Sequence, residues 1–441
     1  MSLHPEFLKW VDAQASRAAE LVGPSLPPTA PSSGVRSHPD KPLATVITEE
    51  QIMGPVVRTQ LNGDGEPEAW FLFKKGKDEI GFSGAGFQEV RKITERIWNR
   101  KEIRDKFSVA TVADRLMRWA VQTASGEEAE SFAVRLESLL SELVVPRSVW
   151  LPIDWLSLEG ELRFGDAVIA PLSLEEFERN LAENNIDSTN PMIEKMRSEW
   201  VGSPIIRFEF NAEPQRAIEL AREKANDYLA LLQIYALPSL TLSFTSHVAP
   251  RGAQPYRKED ILIFGQGTYR RSQAISEKPY RFDITPEIRA NMERYRLATV
   301  SKLAVRTENE YEEDLLRCLL VYGRASYQSD PTDKFLQTMT AIEMFALDGA
   351  NEPIQTIVAD RMAFAVHGSF EGRVTLVENF KAAYAERSRG THHGKSIEDT
   401  EIIQQFLMNA WFFFCACLQN VGRVQTRKDF LRQLDSMKYR S

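Results

Sequence analysis

Hydrophobic positions along this chain follow two rhythms, and the change between them near residue 285 divides the sequence. Before that point, runs that alternate apolar and polar residues, the period of a half-buried strand, are mixed with runs that repeat every three to four residues, the period of a helix. The spacing predicts strands at 43–48, 55–61, 69–74, 148–156, 161–164, 167–170, 204–210, 239–246 and 260–264. Turn signals sit at Asn62-Gly63-Asp64-Gly65 and Gly165-Asp166. Helices are expected at 1–20, 87–123 with a break near 107–110, 127–143, 172–184, 192–200 and 214–236. Strands and helices do not alternate strictly, so an α+β arrangement is expected rather than a doubly wound sheet.

After residue 285 only the helical rhythm remains, over 286–305, 308–327, 333–347, 353–366, 373–387, 399–421 and 427–437. Phe335, Met339, Ile342 and Phe345 share one face, as do Val377, Phe380 and Tyr384, and a packed all-α bundle explains such stripes. The opening helix has its own apolar side of Phe7, Trp10, Val11 and Ala18. Residues 22–42, rich in Pro, Ser and Gly, read as a flexible linker. The expected organisation is therefore a helix and linker over 1–42, an α+β sensing or specificity domain over 43–305, and a helical bundle over 306–441.

Length and composition fit this division. A chain of 441 residues, 43% hydrophobic and 26% charged, suits two or three water-soluble domains. No basic-then-apolar leader opens it, and the longest apolar run, 410–418, is about half of a bilayer span, so a buried helix, a cytoplasmic address and no membrane partner are expected. Cys415 and Cys417 stand two apart in a helix and diverge; with Cys318 they make neither a disulfide framework nor a metal knot. Ser83 within Gly81-Phe-Ser-Gly-Ala-Gly86 fails as a nucleophile elbow because Ala85 stands where a glycine is required. Gly265-Gln-Gly267 is too short for a dinucleotide loop, and His4, His38 and His247 are isolated. No metal and no cofactor are expected.

Charge changes the picture locally. The net charge of −8 argues against a polyanion partner, yet Lys381, Arg387, Arg389 and Lys395 face only Glu386 between them. Farther on, Arg423, Arg427, Lys428, Arg432, Lys438 and Arg440 outnumber Asp429 and Asp435. Such patches can attract phosphate whatever the whole-chain charge.

The candidate chemistry lies in Phe380-Lys-Ala-Ala-Tyr384-Ala-Glu-Arg387-Ser388-Arg389-Gly390-Thr391-His392-His393-Gly394. Here a helix is expected to run into a short segment, with glycines letting the backbone turn out of it. RNA cleavage without a metal needs a base for the 2′-hydroxyl proton and a cation for charge on the phosphorane. Histidine titrates in the right range, and arginine offers a fixed charge with a planar fork.

From DKFLQTMTAIEMFAL through ADRMAFAV to FKAAYAERSRGTHHG, the chain resembles the Apea-like branch of the HEPN family, over roughly residues 310–440. The matching parts are Tyr384, Arg387, Ser388 and His393-Gly394 in order; the family's aliphatic residue before the histidine is replaced by Gly390-Thr391. The resemblance implies Arg387 with His392 or His393 as catalytic residues of an endoribonuclease that leaves a 2′,3′-cyclic phosphate. Glu343 would hold Arg387, Ser388 and Tyr384 would support it, and Arg389 and Lys395 would contact the RNA. It also implies a homodimer through the helical domain with a composite site and a role as toxin or anti-phage effector; the large region attached to so small an effector suggests in addition a phage or antitoxin trigger at the N-terminal region. The alternative is a non-catalytic module that dimerises and binds RNA or nucleotide. A competing pair, Arg361 and His367, has five residues between its members and sits in a helix expected to pack.

Overall fold

A computed structural model describes residues 3–24, 56–61, 67–75, 78–127, 130–253, 258–265, 268–275, 279–349, 352–393 and 399–438; side chains are described outside 24, 56–61, 67–75, 78–79, 258–265, 268–275, 279 and 389–393. The strand expected at 43–48, the turn at 62–65 and most of the linker lie outside these residues. The chain divides into two compact units, residues 1–147 with 209–220, and 148–208 with 221–441. The expected boundary at 305/306 falls inside the second unit.

In the first unit, the opening helix Pro5–Glu20 is part of the core rather than an appendage. Its Val11, Ala15 and Ala18 are fully buried together with Ile93 and Ile97 of Gly84–Trp98, Leu116 and Ala120 of Val109–Ala124, and Phe132 of Phe132–Leu143. Ser108 and Ser131 start two of these helices by accepting the Thr111 and Val134 N–H groups. The expected 87–123 helix breaks earlier as well, at Asn99, before the short Lys101–Arg104 helix. A four-stranded sheet runs in the order Gly23–Pro24, Asp78–Phe82, Pro67–Lys75, Val56–Leu61, all antiparallel. Asp78–Phe82 was not expected from the sequence.

A five-stranded sheet, most of whose residues belong to the second unit, runs in the order Ala249–Pro250, Val145–Asp154, Pro204–Ala212, Ala167–Pro171, Leu162–Phe164. The hairpin turn at Gly165-Asp166 is present: Gly165 has φ +63°, and a Cβ there would stand 2.5 Å from the Tyr228 ring. A separate hairpin pairs Lys258–Gly265 with Thr268–Ile275.

Eight helices then form the bundle: Pro286–Arg294, Leu297–Val305, Glu310–Ala325, Pro331–Ala346, Ile354–Val366, Phe370–His393, Thr400–Leu418 and Arg427–Met437. The 286–305 helix expected from the sequence is two helices. Arg296 takes a left-handed φ of +72°, and the Tyr295 carbonyl accepts the Tyr235 hydroxyl at 3.1 Å while the Tyr295 ring meets Trp411 edge-on. Tertiary contacts outweigh local helix propensity at this point.

Thr400–Leu418 is long and apolar enough to cross a membrane, but it lies within the bundle, with Phe406, Ala410, Phe413, Phe414 and Cys417 all fully buried. Phe406 packs edge-on against Phe335 at 5.3 Å and near Phe380 at 6.1 Å; Phe414 meets Tyr322 at 4.9 Å. The three cysteines are buried and free, and burial pushes the Cys318 and Cys415 thiols up to about 12. They act as packing residues.

The strand expected at 239–246 is reduced to Thr245–Ser246. The chain before it lies across the bundle as a strap, and side chains take the carbonyls a sheet would have used. Tyr322 donates to the Ser239 carbonyl, Gln404 to that of Leu240, and Lys334 to those of Thr241 and Phe244. With these groups satisfied, the segment needs no ladder partner.

Two stability predictions follow from this packing. At Gly323, an added Cβ would stand 2.0 Å from the Ala230 carbonyl oxygen, which is backbone and cannot swing aside. Gly323→Ala is expected to cost about 2 kcal/mol or more, from the strain of overpacking a close helix approach, whereas Gly349→Ala, whose Cβ meets nothing within 4 Å, serves as the control in thermal melts. Lys334 is 1% exposed, and burial pushes its ammonium down from 10.5 to about 8. Between pH 8 and 10.5 the unfolded chain binds this proton and the folded chain does not, so stability rises with pH across that window. Melts of the native protein are expected to gain up to about 3 kcal/mol there relative to Lys334→Met. Parallel pH profiles for the two proteins would remove the buried charge from the account.

Candidate active site

The Phe370–His393 helix carries most of the candidate residues, and its position is set by contacts two turns before them. Asn379 donates to the Ile402 carbonyl and accepts from Asn409, which in turn accepts from Gln405. Asn409 is buried, so this amide ladder fixes the register between Phe370–His393 and the core helix Thr400–Leu418. Phe380 is 1% exposed and stacks toward Tyr384 at 6.2 Å. Residues 380, 384 and 387 recur at four and three, so the buried face leads directly to Arg387.

Arg387 projects from this column to Glu343 of Pro331–Ala346, and its Nη1 donates to Glu343 Oε1. Its guanidinium also lies over the Tyr384 ring, 5.4 Å from the centroid. The contact between Glu343 and Arg387 that the sequence led us to expect is thus present. The Arg387 side chain is 28% exposed and that of Glu343 13%, which puts the pair at the edge of the bundle. Burial lifts the Glu343 carboxyl above its ordinary value, against the opposing pull of Arg387. Ser388, next on the helix, is exposed.

One expectation about the backbone is corrected. The helix does not end at Arg387 with the glycines turning the chain away; it continues through Gly390 to His393. The run Lys381-Ala-Ala-Tyr-Ala-Glu is made mainly of strong helix formers, and a single internal glycine costs a helix only about 1 kcal/mol. Helical geometry then places Cα of residue 392 about 140° around the axis from Cα of residue 387, and residue 393 about 120° around in the opposite sense. Within one chain, positions 390 and 391 stand one turn above Arg387, and position 392 stands one turn above Ser388. The side chains of Arg389, His392 and His393 are outside the described residues, as is all of Lys395.

The competing pair separates on geometry. Arg361 is 5% exposed, and its fork is filled. Nε and Nη2 donate to the two Asp435 oxygens at 3.0 and 2.9 Å, Nη1 and Nη2 to the two Glu352 oxygens at 3.0 and 2.9 Å, and Nη1 also to the Ala346 carbonyl. Burial opposes its charge, but the two carboxylates outweigh burial and raise its pKa further. An arginine so committed ties three elements together and has nothing left for a ligand. A second titratable cluster, on the sheet side, is similarly internal. Burial raises the Asp166 carboxyl, but hydrogen bonds from Lys224 and Tyr228 outweigh it and hold the group below its ordinary range. These bonds fasten the Gly165-Asp166 turn to the Pro214–Leu232 helix.

No protein-family model, curated protein or solved structure matches this chain. Among the described residues, no three His, Cys, Asp or Glu side chains group as metal ligands.

The two arginines give a direct comparison. Arg361→Ala leaves two carboxylates without their partner and is expected to cost about 3 kcal/mol or more. Arg387→Ala removes one edge pair and is expected to cost about 1 kcal/mol. Thermal melts of the two variants check this; an equal loss would make Arg387 a structural residue like Arg361.

Proposed function

We propose that the helical C-terminal region is a HEPN-type endoribonuclease acting as a homodimer. In this reading the 2′-hydroxyl oxygen attacks the adjacent phosphorus and the bond to the 5′ oxygen breaks. The products are a 2′,3′-cyclic phosphate and a 5′-hydroxyl end. One imidazole of His392 or His393 takes the 2′ proton, and one from the partner chain returns a proton to the leaving oxygen. Arg387 balances charge on the phosphorane with a planar fork. Glu343 and Tyr384 orient that fork, Ser388 supports it, and Arg389 and Lys395 hold the RNA backbone. The chemistry requires no metal.

The observation that carries the reading is Arg387 itself. It stands at the edge of the bundle, is partly exposed, is held by Glu343 and Tyr384, and lies on a helix that continues through both histidine positions. The helical phase also favours a composite site, because one continuous helix sets Cα of 392 and 393 away from the Arg387 column. A second chain would then bring its own helix end opposite. Phe370, Val374, Met408 and Phe412 remain 70%, 39%, 40% and 41% exposed on the two helices joined by the amide ladder, and they supply an apolar face for pairing. The same resemblance carries a role as toxin or anti-phage effector, and the large N-terminal region attached to it would sense the trigger.

A second reading is favoured by the ion pair. If Glu343 neutralises Arg387 permanently, the region binds RNA or nucleotide and dimerises without cutting.

Incubation of RNA with the purified protein in EDTA separates the two. Cleavage by the native protein is expected, with 2′,3′-cyclic phosphate ends, and a loss of about a hundredfold or more in Arg387→Ala and in His392→Ala/His393→Ala. Folded variants that cut as fast as the native protein, or a native protein that leaves RNA intact, would reject the nuclease.

A further inference from the structure

The six basic residues between Arg423 and Arg440 look alike in the sequence, but their surroundings differ sharply. Arg427 is turned inward: its Nη1 donates to the Met344 and Leu347 carbonyls, capping the end of Pro331–Ala346, and its Nε lies 3.0 Å from Asp314. Lys428 pairs with Asp348 at 3.4 Å, and Lys438 with Asp360 at 2.6 Å. Asp435, one of the two acidic residues of this stretch, is taken by Arg361. Arg440 lies outside the described residues. The remaining two, Arg423 and Arg432, the latter loosely paired with Asp429 at 3.7 Å, both line one open groove of about 450 Å³.

The groove has two walls. One is a face of the Arg427–Met437 helix carrying Asp429, Arg432, Gln433 and Ser436, which recur at the three- and four-residue spacing of a single helical stripe. The other is the preceding turn with Arg423, Val424 and Gln425, which follows Gly422 at φ +77°. Val424 is 4% exposed, and the Gln425 carbonyl accepts the Tyr311 N–H at 3.1 Å, so the turn is anchored to the bundle core. The one carboxylate in the groove is already occupied. Asp429 accepts the Thr426 hydroxyl at 2.7 Å while Thr426 caps its N–H, and Arg432 approaches the other carboxylate oxygen only at 3.7 Å. The lining therefore offers two guanidinium groups and two amide side chains against one carboxylate that is spoken for.

We propose that this groove binds the phosphodiester backbone of a polynucleotide strand, with Arg423 and Arg432 on phosphate oxygens and Gln425 and Gln433 beside them. Guanidinium forks with amide donors match phosphate oxygens, and the lining holds no aromatic platform for a base. The helical stripe from 429 to 436 extends over about 10 Å and has no covering wall. Sites for small molecules enclose most of their ligand, whereas a shallow basic trough follows a strand. The groove would hold RNA whether or not the chain cuts it.

The test is binding of a fluorescent single-stranded RNA of twelve nucleotides, fully 2′-O-methylated, measured by anisotropy over a range of KCl concentrations. Without a free 2′-hydroxyl the probe cannot be cleaved by transesterification, so the result is independent of the nuclease reading: binding can fail where cleavage is found, and succeed where none is. Arg423→Ala/Arg432→Ala is expected to weaken binding tenfold or more and to lower the salt slope by about 1.4, the value for two lost phosphate contacts on a single strand. Lys428→Ala, which removes one charge from the same helix but outside the groove, is expected to change affinity less than twofold. A double variant that binds like the native protein, or a native protein that does not bind the probe, overturns the proposal. So does displacement of the probe by inorganic phosphate or ATP at micromolar concentration, which would make the groove a site for small phosphate compounds.

Discussion

The Thr400–Leu418 helix is apolar around most of its circumference, and the second unit is organised by the need to surround it. An ordinary amphipathic helix can leave one side in water; this one buries ten of its nineteen residues. Phe406 is met by Phe335 and Phe380, Phe413 by Phe345, and Phe414 by Tyr322, so three neighbouring helices are placed by rings from this one segment. Aromatic packing alone would tolerate sliding. Asn409, buried among those rings, does not, because its amide has to meet Asn379 or go unsatisfied. Placement of Arg387 two turns farther along is a consequence of that pairing.

The strap over 239–244 obeys the same constraint from the backbone side. Its carbonyls sit against the bundle, and the bundle supplies a hydroxyl, an amide and an ammonium to them. The use of Lys334 is costly, since burying its charge depresses its affinity for a proton. A strand pairing would have satisfied the same groups more cheaply, and the apolar run in the sequence does suggest one. It is unavailable because Leu237–Ser239 forms a tight helical turn and the following residues are drawn onto the helices.

These cases mark what the sequence could and could not convey. Helix periodicity identified the helical segments of the bundle in order, merging only Pro286–Arg294 and Leu297–Val305 into one, and the buried stripe of Phe335, Met339, Ile342 and Phe345 came through intact. Burial of a periodic face is a local property of the sequence, and it survives into the fold. Breaks were less legible. Arg296 carries no glycine or proline signal, and the helix divides there because Tyr235 and Trp411, both distant in sequence, act on Tyr295. Gly390 sent the opposite message, a stop signal that the helix-forming run from Lys381 to Glu386 before it overrode. The Asp78–Phe82 strand is short and contains Gly81, so its pattern was too brief to separate from a loop. At the candidate site, the contact of Arg387 with Glu343 was expected only from the resemblance, because no local pattern brings two positions 44 residues apart together. The side chains of His392 and His393 lie outside the described residues.

Counting charges was the weakest guide. Arg361, Arg387, Arg423, Arg427 and Arg432 are equivalent in a composition, and the structure gives them separate tasks. Arg361 and Arg427 are consumed by carboxylates and carbonyls within the bundle, where their removal would expose buried partners. Arg387 is intermediate, paired with the Glu343 carboxylate at the edge. Arg423 and Arg432 face a groove whose only acid is already engaged. What decides whether a basic residue can attract phosphate is the number of acceptors already around it, because a guanidinium has five N–H donors and each one used inside the protein is one fewer for a ligand. A basic stretch in a chain with a net charge of −8 is therefore informative only after its internal pairs are subtracted. What survives that subtraction is Arg423 in the turn and Arg432, only loosely paired with Asp429, on the last helix, both on a single groove, a far more specific feature than a run of six basic residues.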